Sequence, residues 1–558
     1  MNTLFIKSRN FIAPCVGLVL LSATSIAIGA ELLNGDLQVT GFVRAQTAIS
    51  TTSDKNTANT QLGLSDNPDY NLNRVWGVVD LDYHPTMKRG GALDDFRVFS
   101  RIKLAYDLTE DLSGGIDEYD AFPLSNNLKD RGTTMSASND TASAEIWELF
   151  ADFKKGNLWA RLGRQNIVWG ESDGVRLLDV VNPLDNSWHP FEGGGELFDH
   201  RRIPLWMARF TYQLPIKDMS VDMFINPGDF VPTIGNVPGS PFNVNPLPRN
   251  GVADPANAGL QIGAPDGFGG FVPSGIPLPP GSTFITADDT NDKRGDTQWG
   301  VRLLGSIGSF NYTLNYLSLI DQDGVTSALG VIPVNVPAGP FPGAGAFVGF
   351  LPILEVTHDR LDIAGASFNW YSDSIATVFR GEMSYTFDKP FANSPQNLVV
   401  GMFGPINPQD TVGVSERDEL KVMLGIDRPT FVFSDSRTMN ISAQIIYTER
   451  ENVNLITDLN GANVRDNETQ VTLQLSQPFN NDQFFVEFFG LYDLDDGYWL
   501  QPQVRWQPGD HWRVWAYYNA FGGSEDETTT DGLGTKTNRS IAVFDHADEL
   551  NLAISYQF

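Results

Sequence analysis

Charged side chains of both signs are dense between residues 169 and 203. Acidic and basic side chains follow one another closely there, behind a tryptophan: Trp169, Glu171, Asp173, Arg176, Asp179, Asn182, Asp185 and Arg201. Charges of both signs at this density can pair with each other and with charges on a surrounding wall. We expect this segment to fold inward and form a constriction, with Val175 to Val181 as a short helical turn that ends before Pro183. The alternative is an external, solvated loop.

Two segments that would surround this loop carry charges opposite an apolar face, and the segment that leads into the loop is basic. Their charged residues are Arg97, Arg101 and Lys103, then Glu148, then Arg161 and Arg164. Apolar side chains alternate with these charges, and alternation with a period of two is typical of a strand with one apolar and one polar face. Basic side chains on one strand and acidic ones on the next can pair inside a barrel lumen. We therefore expect these six side chains to line the lumen.

Similar alternation recurs along the chain and ends with it. Leu550, Leu552, Ile554, Tyr556 and Phe558 alternate with small or polar residues. Short polar connections alternate with long ones, as periplasmic turns and extracellular loops do in bacterial outer-membrane barrels. The predicted fold class is all-β: a transmembrane antiparallel β-barrel of about 18 strands (16 to 18), with both termini in the periplasm. A soluble β-sandwich or propeller is the rival, but no blade-length repeat is present.

The amino terminus supports export. Lys7 and Arg9 precede an apolar run, and Gly29 and Ala30 end it, which is typical of a signal peptide over residues 1–30. The only cysteine, Cys15, lies in that segment, so residues 31–558 contain no thiol for disulfides or metal. Few residues would precede the first strand, so we expect no N-terminal plug domain and assign 31–558 to the barrel.

Composition limits the possible partners. The formal net charge of −30 argues against nucleic acid. It fits either acidic external loops beside lipopolysaccharide and outer-membrane lipid or simple solubility. Aromatic residues make up 11% of the chain while mean hydropathy is only −0.19, as expected of a barrel whose apolar surface is distributed in alternation.

Two long predicted loops, 226–296 and 322–358, are rich in apolar residues. Their phenylalanines include Phe230, Phe242, Phe268, Phe271, Phe341, Phe347 and Phe350. A solvated loop seldom carries this much apolar surface. These residues would form either an extracellular capture surface for a hydrophobic molecule or a lid in which the loops pack on each other or on a neighbouring subunit.

Motifs of known catalytic chemistry are absent from the sequence. It contains no G-x-S-x-G, H-E-x-x-H, Walker A or C-x-x-C pattern. His189 and His200 lie near carboxylates, but their spacing matches no metal motif. We predict no enzymatic activity, no cofactor and no resident metal.

One stretch resembles a known family. Leu162-Gly-Arg164-Gln-Asn-Ile-Val-Trp169-Gly-Glu171-Ser, continued by Asn182-Pro-Leu-Asp185, resembles a Gram-negative outer-membrane family catalogued as a domain of unknown function. The resemblance implies a barrel that admits or moves a hydrophobic small molecule. It also implies a periplasmic or lipoprotein-like partner and an RND-type transporter. The expected function is a channel for hydrophobic molecules or lipids without direct energy coupling. The alternative is a structural or assembly component that docks a periplasmic partner.

Overall fold

A computed structural model describes most of the chain. The described residues are 30–52, 70–87, 91–108, 136–138, 142–193, 196, 198–216, 218–234, 240–242, 261–265, 271–277, 286–287, 295–336, 347–393, 414–433, 436–450, 456–457, 465–494, 497–523 and 541–558. The predicted signal peptide lies outside these residues except for Ala30. Within them, no helix is long and apolar enough to cross a membrane.

Eighteen antiparallel strands pair in chain order to form a closed barrel, which confirms the predicted fold class. They are β1 Leu37–Ser50, β2 Tyr70–Tyr83, β3 Asp95–Asp107, β4 Ala142–Lys155, β5 Leu158–Gln165, β6 Leu205–Gln213, β7 Met219–Asn226, β8 Gln298–Ile307, β9 Phe310–Ile320, β10 Arg360–Ser372, β11 Thr377–Asn393, β12 Val414–Thr430, β13 Met439–Arg450, β14 Asn467–Phe479, β15 Phe484–Asp493, β16 Gly497–Trp506, β17 Trp512–Gly523 and β18 Glu549–Gln557.

The last strand closes the barrel on the first. β18 pairs with β1 from Phe42↔Gln557 to Ser50↔Glu549. Because every barrel strand has two neighbours, no edge is left unpaired, which is what a sheet needs in order to cross a membrane. Phe558 continues the pairing with backbone bonds of 3.0 Å to and from Gly41.

Side chains alternate between the two surfaces of the wall. On β18, Leu552 and Ile554 are 44% and 40% exposed on the outside, whereas Asn551 and Ser555 are 0% and 1% exposed on the inside. An apolar outer face around a polar lumen suits lipid outside and water or polar groups inside. The protein therefore lies in the outer membrane.

The connections follow the predicted rhythm of short turns and long loops. At the end that holds both termini, β5 follows β4 after two residues and β9 follows β8 after two residues. At the other end, long connections include residues 166–204 and 227–297. The predicted helical turn at Val175 to Val181 is wrong, because the backbone there forms bends and irregular structure.

Further short elements lie in the connections. They are the strands Ala30–Leu32, Ser136–Ser138, Gln261–Pro265, Phe271–Pro277, Thr286–Ala287, Val325–Val336, Phe347–Thr357 and Ile456–Thr457, and the 3-10 helices Leu33–Gly35 and Ile541–Phe544.

Candidate functional site

The connection 166–204, which we call the lumen loop, is tied at its neck by Asn182. The Asn182 side chain is fully buried. Its Oδ1 accepts a bond of 2.8 Å from the Ile167 amide, and its Nδ2 donates to the carbonyls of Gln165 (3.3 Å) and Ile203 (2.9 Å). The loop leaves the wall at the end of β5 and returns to it just before β6. The Asn182 side-chain amide joins these two ends of the loop.

One end of the loop is anchored on β11. The Glu382 carboxylate accepts hydrogen bonds from the backbone amides of Glu171, Ser172 (3.0 Å) and Leu178 (2.7 Å). These donors do not bond within a helix, so a buried carboxylate satisfies them instead. The role of Glu382 could not be predicted from the sequence, because nothing near it in the chain marks it as a partner of this loop.

Arg380, also on β11, holds the same part of the loop. Its guanidinium donates to the Glu171 carbonyl and to the Asp173 carboxylate, both at 2.7 Å. On β13, the Gln444 side chain donates to Asp173 at 2.7 Å. The predicted constriction residues Glu171 and Asp173 therefore contact the wall formed by β11 and β13.

The other part of the loop contacts strands on either side of the closing seam. The Glu192 carboxylate accepts a bond of 2.8 Å from Gln46 on β1, and Glu196 forms an ion pair of 2.7 Å with Arg44. The Glu192 and Glu196 contacts to β1 and the Glu382 contacts to β11 lie on strands far apart in the order of the sheet. The loop therefore crosses the lumen from one wall to another.

This environment shifts the pKa of two titratable groups of the loop. Burial works against ionisation of Glu196, but the His200 hydrogen bond and the Arg44 charge outweigh it and lower the pKa of Glu196 to about 2. Burial also works against protonation of His189, and the Glu549 carboxylate, 2.6 Å away, outweighs it and raises the pKa of His189. Both ion pairs fasten the loop to the wall near the closing seam.

Inside the loop, the arginines bond to backbone carbonyls. Arg176 donates to the carbonyls of Asp179 and Asn182 (2.6 Å), and Arg201 donates to the Pro190 carbonyl at 2.8 Å. Burial lowers the pKa of Arg176, and burial lowers the pKa of Arg201 to about 10. The loop is thus a compact, internally bonded unit.

Asp179 and Asp185 complete these internal contacts, whereas Trp169 contacts the wall. Asp179 accepts from Arg202 at 2.5 Å, and Asp185 accepts from the Ser187 amide at 3.1 Å. The Trp169 indole, 1% exposed, donates to Asp222 on β7 at 3.2 Å.

The wall beside the loop carries the basic residues predicted for β3. The strand register places Arg97 opposite Asp152 and Arg101 opposite Glu148 on β4. Their shortest ion pairs, however, run to β2: Arg97 to Asp82 at 2.7 Å and Arg101 to Asp80 at 2.8 Å, against 3.8 Å and 3.6 Å to the β4 carboxylates. Asp80 and Asp82 could have been found from the sequence, because alternation in β2 places both on its polar face.

The remaining predicted basic residues each have partners. The Lys103 ammonium lies 3.5 Å from the centre of the Trp188 ring and donates to the His200 carbonyl at 2.8 Å. Arg161 forms an ion pair of 2.7 Å with Asp152. Arg164 is 2% exposed and donates to the Pro204 carbonyl at 3.1 Å. Lys103 and Arg164 therefore also hold the lumen loop.

Aromatic side chains pack between the loop and the wall. We call this group the aromatic cluster, and it consists of Phe191, Phe242, Trp499, Phe521 and Phe544. The Phe191 ring is central, with ring centres of the other four at 4.7 to 5.2 Å. The five rings come from three connections and two strands, so the cluster joins the loop to the wall and to two other connections.

The seven phenylalanines proposed for capture have different positions. Phe242 is buried in the aromatic cluster, and Phe230 is buried with its ring 5.1 Å from that of His358. These two rings pack against the protein rather than forming an open surface. Phe271, Phe347 and Phe350 lie in loop strands. Phe268 and Phe341 lie outside the described residues.

His189 pairs with the Glu549 carboxylate, and His200 pairs with the Glu196 carboxylate. In the part of the chain that the structure describes, no three His, Cys, Asp or Glu side chains are grouped to hold a metal ion.

A closed barrel with an apolar outer face and a loop across its lumen defines a porin-like outer-membrane protein. The chain belongs to the family described as "Protein of unknown function (DUF1302)", whose profile matches residues 10–558. That match confirms the family resemblance. No curated protein matches the sequence significantly.

Solved outer-membrane barrels resemble the fold at low sequence identity. Acinetobacter baumannii OccAB1 is 11% identical, with a TM-score of 0.43 over 96% of this chain and 98% of that chain. Pseudomonas aeruginosa OccK8 (OprE) is 9% identical, with a TM-score of 0.44 over 94% and 98%.

Proposed function

We propose that this protein is an outer-membrane channel that admits hydrophobic small molecules by diffusion, without direct energy coupling. The observation that carries the proposal is the aromatic cluster, which places five aromatic rings between the lumen loop and the wall. These rings pack on one another in the closed structure, so a hydrophobic solute would contact their large apolar area once the lumen loop moves.

The lumen loop would act as the constriction of this channel. It is fixed to β11 by Glu382 and to β1 through Glu192 and Glu196. Removing residues 171–200 would remove these contacts and widen the aqueous path. We expect larger single-channel conductance in KCl after this deletion, measured on purified protein in planar bilayers. Unchanged conductance of the folded deletion variant would reject the constriction.

The transport function itself is tested in cells that carry or lack the gene. N-phenyl-1-naphthylamine is an apolar probe that fluoresces when it reaches the membrane interior. Lipopolysaccharide slows the entry of this probe into cells. We expect cells with the protein to take up this probe several times faster. A panel of a long-chain alkane, a fatty acid, a steroid and an aromatic hydrocarbon, followed by growth and uptake, would then define the substrate. If cells with and without the gene take up the probe and every panel compound equally fast, the function is excluded.

A second function is favoured by one observation at the short-turn end. Phe431, Val432 and Phe433, in the turn between β12 and β13, are 63%, 50% and 70% exposed. Three consecutive exposed apolar residues suit the docking of a periplasmic partner. A pull-down with wild-type protein and with the three residues changed to serine would test this assembly role. Identical partners in both samples would reject it.

A further inference from the structure

Three basic side chains converge on one buried carboxylate at the long-loop end of the barrel. Glu419, on β12, is 2% exposed. Its Oε1 contacts the ammonium groups of Lys389 on β11, at 2.7 Å, and of Lys421 on β12, at 3.3 Å. Its Oε2 accepts from Arg450 on β13 at 2.6 Å. Glu468 on β14 lies 3.5 Å from Arg450. The two lysines therefore share one oxygen of one carboxylate, while the arginine has a second carboxylate nearby.

A β-bulge turns Lys389 toward this carboxylate. β11 carries one residue more than β12 between Thr386 and Lys389, where the register of the two strands shifts. In unbroken alternation Lys389, three residues after the inward-facing Thr386, would face outward. The extra residue reverses its direction, and bulges commonly re-aim a side chain in this way. The bulge therefore brings the second lysine to Glu419.

The backbone of the bulge is held by side-chain contacts. Asp388 has a φ of 46°, a left-handed conformation that is uncommon outside glycine. Its amide donates to one oxygen of Asp418 at 3.0 Å, and the Tyr385 hydroxyl donates to the other oxygen at 2.6 Å. Such a conformation persists only where surrounding contacts fix it. The inward position of Lys389 is thus a built feature of the wall.

Both lysines keep hydrogen-bond donors to spare. An ammonium group has three donors, and among the described residues Glu419 is the only ion-pair or hydrogen-bond partner of Lys389 and Lys421. Asp321 also lies near Lys389 but forms no ion pair with it and accepts from the Asp323 amide at 3.1 Å. The lysine side chains are 27% and 24% exposed. Because both ammonium groups touch the same oxygen, one small anion can contact both.

Apolar groups border the two lysines. The Phe391 ring, 9% exposed, has its centre 5.4 Å from the Lys389 ammonium. The loop strand Val325–Val336, which belongs to the second of the two apolar loops, contacts β11. Sites that combine apolar surface with a few placed charges suit molecules that have a polar head and an apolar body.

We propose that Lys389 and Lys421 form a binding site for the carboxylate of a hydrophobic acid. The carboxylate accepts hydrogen bonds from both ammonium groups in place of water, and the apolar part of the molecule lies against Phe391 and the loop strand Val325–Val336. The site rests on the proposed function and deepens it, because it names hydrophobic acids as the class of solute.

The first test compares an acid with the matching alcohol. Octanoate and 1-octanol share a chain length and differ in the charged head group. We expect Lys389→Gln and Lys421→Gln each to weaken octanoate binding roughly tenfold, because a charge-assisted hydrogen bond is lost, and to leave 1-octanol binding unchanged. Binding is measured by calorimetric titration of purified protein held in amphipol. The matched control is Lys155→Gln, whose lysine pairs with Asp94 at 3.0 Å in the turn between β4 and β5. That variant should bind octanoate as the wild type does.

The second test needs no variant. Salt screens the attraction between a partly exposed cation and an anion, so octanoate binding to wild-type protein should weaken severalfold from about 50 mM to about 500 mM KCl. Binding of 1-octanol should not weaken. If either lysine variant fails the check of folding by heat-modifiable mobility on gels, this salt series decides.

The outcomes separate the acid site from the channel. Equal octanoate affinity in wild type and both lysine variants would overturn the site, and so would an equal loss of 1-octanol binding, since the variants would then have changed the apolar surface. If the gene accelerates uptake of N-phenyl-1-naphthylamine but octanoate does not bind, the channel stands and the acid site is wrong. If octanoate binding depends on both lysines but the gene does not accelerate uptake, the site stands and the channel is wrong.

Discussion

Replacing Glu382 by glutamine should release the lumen loop without changing the barrel. The Glu382 carboxylate accepts three backbone bonds from the loop and is itself 2% exposed. A glutamine keeps one acceptor oxygen and turns an NH₂ group toward donors. Hydrogen bonds to charged groups contribute about 1.5 to 3 kcal/mol each, so we expect a net loss of about 2 to 3 kcal/mol of anchoring free energy. At 1.4 kcal/mol per factor of ten, the population with a displaced loop rises roughly 30- to 150-fold.

The assay measures that population by thiol labelling. Leu177 is 3% exposed and lies inside the loop, so Leu177→Cys reacts with a maleimide only when the loop opens. Under fast opening and closing, the labelling rate follows the open population. We expect Glu382→Gln to accelerate labelling by the factor given above and to increase KCl conductance. Asp82→Asn is the control, because Asp82 pairs with Arg97 on the wall. Equal labelling rates with and without Glu382→Gln would refute the anchoring role.

Three further predictions concern the same loop. Gly193→Ala should displace the loop, because a Cβ there would lie within 2.7 Å of an aromatic ring on the wall; circular dichroism should stay unchanged while conductance rises, and unchanged conductance would contradict this. The pKa of Glu196, lowered to about 2 by the His200 hydrogen bond and the Arg44 charge, means that these two contacts stabilise the fold above pH 4.5 and lose that effect as pH falls toward 2. Loop opening should therefore increase over that range, and Glu196→Gln should abolish this part of the acid response. The raised pKa of His189 means that its pairing with Glu549 stabilises the fold below pH 6.5 and is lost as pH rises through the raised value. Labelling should accelerate in alkaline buffer, and an equal acceleration in His189→Gln would contradict this assignment.

Alternation along the chain determined the barrel, because side-chain direction in a strand is a local property. Each residue's inside or outside position follows from its neighbours two places away. That is why the closing strand, its polar lumen face and the rhythm of short and long connections were all predictable. The charged faces of β3 and β4 were predictable for the same reason.

Partners and conformation inside the lumen were decided by the tertiary structure. Glu382 accepts a hydrogen bond from the backbone amide of Leu178, which lies 204 residues away in the chain, and no local pattern joins the two. The predicted helical turn at Val175 to Val181 failed because this carboxylate, rather than a helix, satisfies the backbone there. Arg97 and Arg101 form their shorter ion pairs with the carboxylates of β2 rather than with those of β4, because side-chain reach across the sheet decides which carboxylate is nearer.

The sequence by itself thus determined a closed outer-membrane barrel with a charged loop, since period-two patterning and charge are written residue by residue. Only the tertiary structure decided where that loop lies: tied at Asn182, anchored on Glu382, and bonded through the Phe191 carbonyl to Gln501 on β16. Contacts between distant residues depend on barrel closure, which brings β11 and β16 to the two sides of one loop.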